Sequence, residues 1–453
     1  MNTLPKAIIN VFNIFTPLFS RPVYKNVLQL FGAHILSKGR RTVADLLRIL
    51  NLSHIKNYSK FHWALSGANW SGLQGAKLLF QRLIQLVATD EIFITIDSTI
   101  ERRKGEKIKS LGRYRDATQS SKANKVLCIG LHWLVCAINI SFPFTSRSWA
   151  LPFLSILMPP QQPLRSSKNT KDLNRKSRYK KMTEWACQVA YIVRRWVGKN
   201  RKITIVGDNA FACFKLAYAC LFNDISLISR LRLDARLFDP PPPEQMGRGR
   251  KRVAGKCLPK LTELACRDIS AWQEIDVKWY HNATKKVLIQ SGKCLWYYIG
   301  FKPIAIHWIL IKQTPNSTPV ALFSTNLNHT PIQIIEAFVG RWSLEVTFEE
   351  ARRHLGMETQ RQWADKAIDR VTPVILASFS IMTLMGLELL KETQSAIKSQ
   401  WTSWYQKKYI TFSDILAALR EAILRGKHYS ILEEIGDQRI VDIENLILLM
   451  AVA

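Results

Sequence analysis

The chain has 453 residues, enough to bury a large core and to divide into more than one domain. Its 47% apolar and 22% charged shares exclude a disordered chain. Lys and Arg number 65 against 34 acidic residues, a formal net charge of +31, which favours a polyanion over a membrane surface or a small molecule and makes nucleic acid the expected partner.

Residues 1–88 read as a helical domain. The Ala7–Ser20 run has no small-residue cleavage pattern, so no export signal is expected there. Thr42–Leu50 has helical apolar spacing, and after an Asn51-Leu52-Ser53 break a second segment carries Tyr58, Phe61, Trp63 and Leu65. In a basic chain this is either a DNA-reading helix pair or an ordinary helical hairpin.

Glu91–Thr99 is a β-branched and aromatic run that reaches Asp97, and it opens the span 89–231. A basic loop at 101–115, with Lys104 and Lys107, reads as a DNA-backbone contact. Asp116 lies beyond it, a rival carboxylate with no strand expected to fix it. Val126–Ser146 carries no charge between Lys125 and Arg147; its Asn139, Ser141 and Pro143 favour two buried strands with a turn over a membrane span, and His132 reads as a core residue. A polar stretch from Arg165 to Lys181, either DNA-contacting or a solvated linker, precedes a helix expected at about 182–198.

Lys202–Val206 is a second apolar strand, followed by Gly207 and Asp208, with a helix expected to run on to Phe222 and a strand over Ile225–Leu231. Residues 232–322 change character: four prolines at 240–243, the cluster Arg248, Arg250, Lys251 and Arg252, and then alternating segments at 272–280, 293–298 and 305–312 that read as an inserted β-sheet. The basic cluster is read as a further DNA-backbone contact. The eight cysteines include no Cys-x2-Cys pair and sit mostly in apolar surroundings, as in Val135-Cys136-Ala137, which points to free thiols in a reducing cytoplasm.

Residues 323–395 return to a helical core. Thr330-Pro331-Ile332-Gln333 combines a capping threonine, proline at the first helical position and a glutamine that completes a capping box. One helix is expected from there to about Leu355, ended by Gly356. Phe338, Glu345 and Arg352 fall on one face, with Arg341 and Glu349 a turn either side of Glu345. Glu349, and less so Glu350, rival Glu345. Val371–Leu387 reads as a buried helix with Pro373 near its start, and 396–453 as a C-terminal helical region.

Two strands that each reach an aspartate, with a downstream helix carrying a glutamate, meet one chemical demand. Phosphodiester cleavage and strand transfer need an activated nucleophile and a stabilised leaving oxygen, tasks for two divalent ions about 3.5–4 Å apart held by carboxylates from different elements. Hard oxygen ligands select Mg²⁺ or Mn²⁺. Asp97, Asp208 and Glu345 are the candidate catalytic and metal-binding residues.

The pattern resembles the insertion-sequence DDE transposases of bacteria, in the group marked by Tyr-x2-Arg-x3-Glu-x6-Lys around the third carboxylate; here it reads Phe338-x2-Arg341-x3-Glu345-x6-Arg352. Ile96-Asp97-Ser98-Thr99 and Val206-Gly207-Asp208-Asn209 are similar to the family's first and second aspartate contexts. The resemblance implies an α/β, ribonuclease-H-like catalytic core with an all-β insertion and an N-terminal helical domain. It also implies two Mg²⁺ or Mn²⁺ ions and a homodimer acting on inverted-repeat ends and target DNA, in a cytoplasmic, nucleoid-associated setting. Arg341 and Arg352 would hold phosphates, and Trp296 or Trp308 would stack a flipped base unless both are core residues. A non-catalytic DNA-binding derivative and a nuclease that cuts without joining are the competing classes.

Overall fold

The computed structural model describes residues 4–451 apart from 117–118, 122, 162–163, 165–178, 243–250, 267–268, 281–282, 394–396, 398–403, 405–406 and 433–449. Arg248, Arg250 and most of the polar stretch before Lys181 therefore lie outside the described residues.

The chain begins with five helices, α1 (Lys6–Phe12), α2 (Arg21–Leu36), α3 (Val43–Ile49), α4 (Ser59–Ser66) and α5 (Gly72–Leu83). Their apolar faces join the main core: Phe80 packs on Phe153 with ring centroids 4.7 Å apart, and Phe12 and Phe31 belong to the same cluster as the sheet. A smaller core of Leu30, Val43, Leu46, Leu47 and Phe61 holds α2, α3 and α4 together. The Leu50–Tyr58 connection between α3 and α4 is longer than the tight turn of a DNA-reading helix pair, and it leaves Tyr58 and Trp63 exposed.

Eleven strands then form one mixed sheet: β1 (Glu91–Arg102), β2 (Gly112–Arg115), β3 (Leu127–Ile140), β4 (Trp149–Leu157), β5 (Lys202–Val206), β6 (Ser226–Leu231), β7 (Leu237–Phe238), β8 (Gln273–Lys278), β9 (Thr284–Trp296), β10 (Ile304–Lys312) and β11 (Val320–Ser324). Their order is β2-β3-β1-β5-β6-β11-β10-β9-β7, with β4 paired to β3 and β8 to β9. Among the described strands the β1–β5 and β5–β6 pairings are the parallel ones, the crossovers being made by α6 (Met182–Val197) and α7 (Phe214–Phe222). An antiparallel hairpin ahead of a parallel centre is consistent with the expected ribonuclease-H-like core.

Three local expectations are corrected. The uncharged stretch after Lys125 is not two strands but one, the long β3, whose hairpin partner β4 begins only at Trp149; Asn139 inside it is tolerated because its amide is hydrogen-bonded. The strands of 273–312 do not form a sheet of their own, because β11 pairs with both β6 and β10 and carries the core sheet outward. Asp116 does have a strand to fix it: it follows β2 directly, is buried, and accepts a hydrogen bond from Arg102 at 2.6 Å.

Beyond the sheet lie α8 (Leu261–Ala265), α9 (Pro331–Gly340), α10 (Trp342–His354), α11 (Asp365–Thr393) and α12 (Phe412–Leu432). Helix α11 is long and apolar enough to span a bilayer, but 61% of its most apolar window is buried, and it packs against β4 and α1. It is the core helix expected around Pro373. All eight cysteines are free, and His132 packs on Tyr114 with its basicity pushed down to about 4 by burial.

Candidate active site

Register alone brings the two aspartates together. Thr95 of β1 pairs with Val206 of the parallel β5. Asp97 lies two residues past Thr95 and Asp208 two past Val206, so both follow the same paired level of neighbouring strands. Asp97 is still within β1, whereas Asp208 stands just off the end of β5 and caps a short 3-10 turn, its carboxylate accepting from the Ala210 N–H at 3.0 Å. The Ser229 hydroxyl donates to the Asp208 carbonyl at 2.6 Å and fixes that turn.

The third carboxylate arrives on a helix that is not continuous. The Thr330 capping box forms as expected, but the helix divides at Arg341 into α9 and α10. At the joint the side-chain amide of Asn139 donates to the Gly340 carbonyl at 2.9 Å, and the Thr95 hydroxyl donates to the Asn139 carbonyl oxygen at 3.0 Å. A side chain from the sheet thus takes a carbonyl at the position where glycine is the weakest helix former, and the ladder yields there. The result ties the joint to the strand bearing Asp97. Downstream, Ser343 and Thr347 donate to the carbonyls of Ser148 and Ala150 and lay α10 along β4.

This docking aims Arg341 and Glu345 at Asp97. One guanidinium nitrogen of Arg341, Nη1, lies 2.5 Å from Asp97 Oδ2 and 3.1 Å from Glu345 Oε1, while the group packs over the Phe338 ring at 5.6 Å. Burial pushes the Asp97 carboxyl up to about 6; Arg341 and the Ser98 N–H oppose the rise, and Asp208 and Glu345 add to it. Glu345 is also raised, first by burial, with Arg341 opposing and Asp208 adding. Three carboxylates therefore repel across one small region with a single cation among them, a donor set suited to a hard divalent ion. Among the described residues no three acidic, His or Cys side chains already converge as ligands on one point.

The other candidates separate clearly. Glu349 points to solvent and pairs with Arg353, and Glu350 is half-buried, with Arg147 and His354 as its neighbours. Arg352 is pinned to the fold: it donates to the Thr99 hydroxyl, the Ile100 and Phe348 carbonyls and Glu358. Lys104 and Lys107 are exposed in the loop after β1, Lys107 over the Trp363 ring at 5.0 Å, and Lys251 and Arg252 are exposed ahead of α8. Trp296 and Trp308 are each 8% exposed. Trp296 stacks on Phe214 at 4.1 Å, and Trp308 covers Gly292, so neither offers a face to a base.

Sequence reasoning overlooked other aromatics. Beside Glu345 opens a groove of about 710 Å³ lined by Arg147, Lys278, Trp279, Tyr280 and Trp342. Trp342 is 47% and Tyr280 43% exposed, and the two rings meet edge-on at 5.8 Å. Trp342 adjoins Arg341 in sequence, and that adjacency was the available signal.

The mixed sheet with its parallel centre and flanking helices is consistent with a ribonuclease-H-like fold. The DDE superfamily endonuclease family matches residues 15–288, more than half of the chain, and the protein belongs to that family. The match includes Asp97 and Asp208, while Glu345 lies beyond it. Membership implies DNA as the substrate and the divalent-metal chemistry general to such nucleases. No curated protein matches the chain.

Proposed function

We propose that the protein is a DDE transposase of the insertion-sequence type, which binds the ends of its element, cleaves them and joins them to target DNA. The observation that carries this reading is the Arg341 guanidinium shared by Asp97 of β1 and Glu345 of α10, with Asp208 at the end of the neighbouring β5 close enough for its charge to raise both carboxyls. Two Mg²⁺ or Mn²⁺ ions held by these carboxylates would supply nucleophile activation and leaving-group stabilisation. The chain's own residues do the rest. Asn139 and Thr95 hold the joint that positions Glu345, and Arg341 offers a guanidinium fork to a DNA phosphate. The groove with Trp342 and Tyr280 gives an unpaired base a stacking surface, in place of the buried Trp296 and Trp308.

In this reading residues 1–88 contribute to end recognition, 89–231 and 323–395 build the catalytic core, 232–322 form the β insertion and 396–453 a helical C-terminal part. The basic residues Lys104, Lys107, Lys251 and Arg252 contact DNA backbone, two copies assemble on the DNA, and the setting is the bacterial nucleoid.

The deciding experiment is strand transfer of a DNA fragment carrying the element's own ends, with Mg²⁺. Asp97→Ala is expected to lower cleavage and joining by at least about a thousandfold while end binding persists. Equal activity of both proteins discards the assignment. Cleavage without joining by the wild type reduces it to a nuclease.

A further inference from the structure

Arg341 and Arg352 flank Glu345 on one helical segment, yet they are held in opposite ways. Arg352 makes four hydrogen bonds, to two backbone carbonyls, a hydroxyl and Glu358. Among the described residues the Arg341 side chain bonds to Asp97 and Glu345, both through Nη1, and its buried Nε has no hydrogen-bond partner. It also packs over the Phe338 face. The residue sits at the joint between α9 and α10, where a side chain can swing with least cost to the helices.

Space and charge make this placement exclusive. A nitrogen 2.5 Å from one carboxylate and 3.1 Å from the other fills the position that a Mg²⁺ ion, with oxygen ligands at about 2.0–2.1 Å, would take between them. The cation and the divalent ion cannot both stand there. We propose that Arg341 is an exchangeable counter-ion, closing the acidic cluster while no DNA is bound and leaving it for an incoming DNA phosphate, so that metal entry waits on DNA. The exchange balances charge: the phosphate receives the guanidinium, and the carboxylates receive the divalent ion. A bidentate phosphate contact compensates the arginine for the two carboxylate bonds it gives up. The proposal rests on the acidic site holding metal, as argued above.

The test measures Mn²⁺ binding by the free-ion electron paramagnetic resonance signal, on the full chain, with and without a short DNA duplex. Without DNA, Arg341→Gln is expected to bind Mn²⁺ about tenfold tighter than the wild type. Added duplex should tighten Mn²⁺ binding to the wild type and do much less for the variant. By reciprocity, Mn²⁺ should strengthen duplex binding to the wild type by the same factor. Equal Mn²⁺ affinity of variant and wild type without DNA overturns the proposal, and so does an equal gain from DNA in both, which is the behaviour of a fixed counter-charge. Should Arg341→Gln fold poorly by circular dichroism, Arg341→Met carries the same expectations. Asp97→Asn is the control for the site itself: it should lose Mn²⁺ in every condition, and wild-type affinity there removes the metal site and the exchange together.

Discussion

Strand β1 carries Asp97 and Glu101 two pleat repeats apart, and the two carboxylates live in opposite circumstances. Glu101 is fully buried and fully answered: Arg103 donates to one oxygen at 2.8 Å, and Trp133 and Thr372 each donate to the other at 2.9 Å. At the start of the same strand Glu91 is similarly treated. Burial would raise it, but hydrogen bonds from His329 and Thr204, with their neighbouring charges, hold it below the usual carboxylate range. Asp97 is instead placed against two more carboxylates and raised to about 6 by burial. A buried carboxylate whose lone pairs are all met belongs to the architecture, whereas one left facing like charge is held ready for a ligand.

The sharpest way to break this contrast is to remove each charge in turn. Glu101→Gln leaves Arg103 buried without its counter-ion and should cost roughly 3–5 kcal/mol of stability, read from urea midpoints. Cleavage per folded molecule should persist. Asp97→Ala should do the reverse, abolishing cleavage without lowering stability. If both variants lose stability alike, the distinction between the two positions is wrong.

The acidity of Asp97 sharpens it further. Its folded value, about 6, lies above the unfolded value near 3.8, so the native state binds more protons between those limits. Metal-free wild type therefore loses stability as pH rises through that window and stays lower above it. Asp97→Asn should be more stable than wild type by roughly 1–3 kcal/mol at pH 7.5, with the difference vanishing below about pH 4. Urea unfolding in a chelating buffer at both pH values checks this, and a pH-independent difference contradicts it.

Much of this was legible before any coordinates. Asp97 and Asp208 announced themselves because each lies at the end or edge of a short apolar run, and a parallel pairing sets such positions side by side. Glu345 was legible from the capping box upstream and the arginine one turn before it. What stayed hidden depends on distant partners. Nothing local marks Gly340 as a break, since the helix yields there to an amide from residue 139. Arg341 and Arg352 look alike in the sequence and differ in their partners, Arg352 being held by β1, Glu358 and its own helix. The periodicity of 272–312 showed strands but not that β11 would merge them with the core sheet. Of the tryptophans, the resemblance singles out Trp296 and Trp308, and packing buries both while Trp342 faces the groove.

The joint offers the subtlest comparison, because Asn139 belongs to the sheet but acts on the helix. Its carbonyl accepts from Thr95, and its amide donates to Gly340, so Asp97's strand and Glu345's helix are coupled through one side chain. Asn139→Ala removes both bonds and leaves a buried hydroxyl and a helical carbonyl unanswered, at about 1–3 kcal/mol in stability. If Asn139 only supports the fold, the maximal rate per folded molecule should be unchanged. Because it sets where α10 begins, the rate is expected to fall by about tenfold with little change in DNA affinity, since a small misplacement of Glu345 is felt in the reaction and not in binding. Asn139→Asp, which keeps the shape but replaces the amide donor with an acceptor facing the Gly340 carbonyl, should be at least as slow. A rate equal to wild type in both variants would show that Glu345 is positioned by the α10–β4 contacts of Ser343 and Thr347 alone.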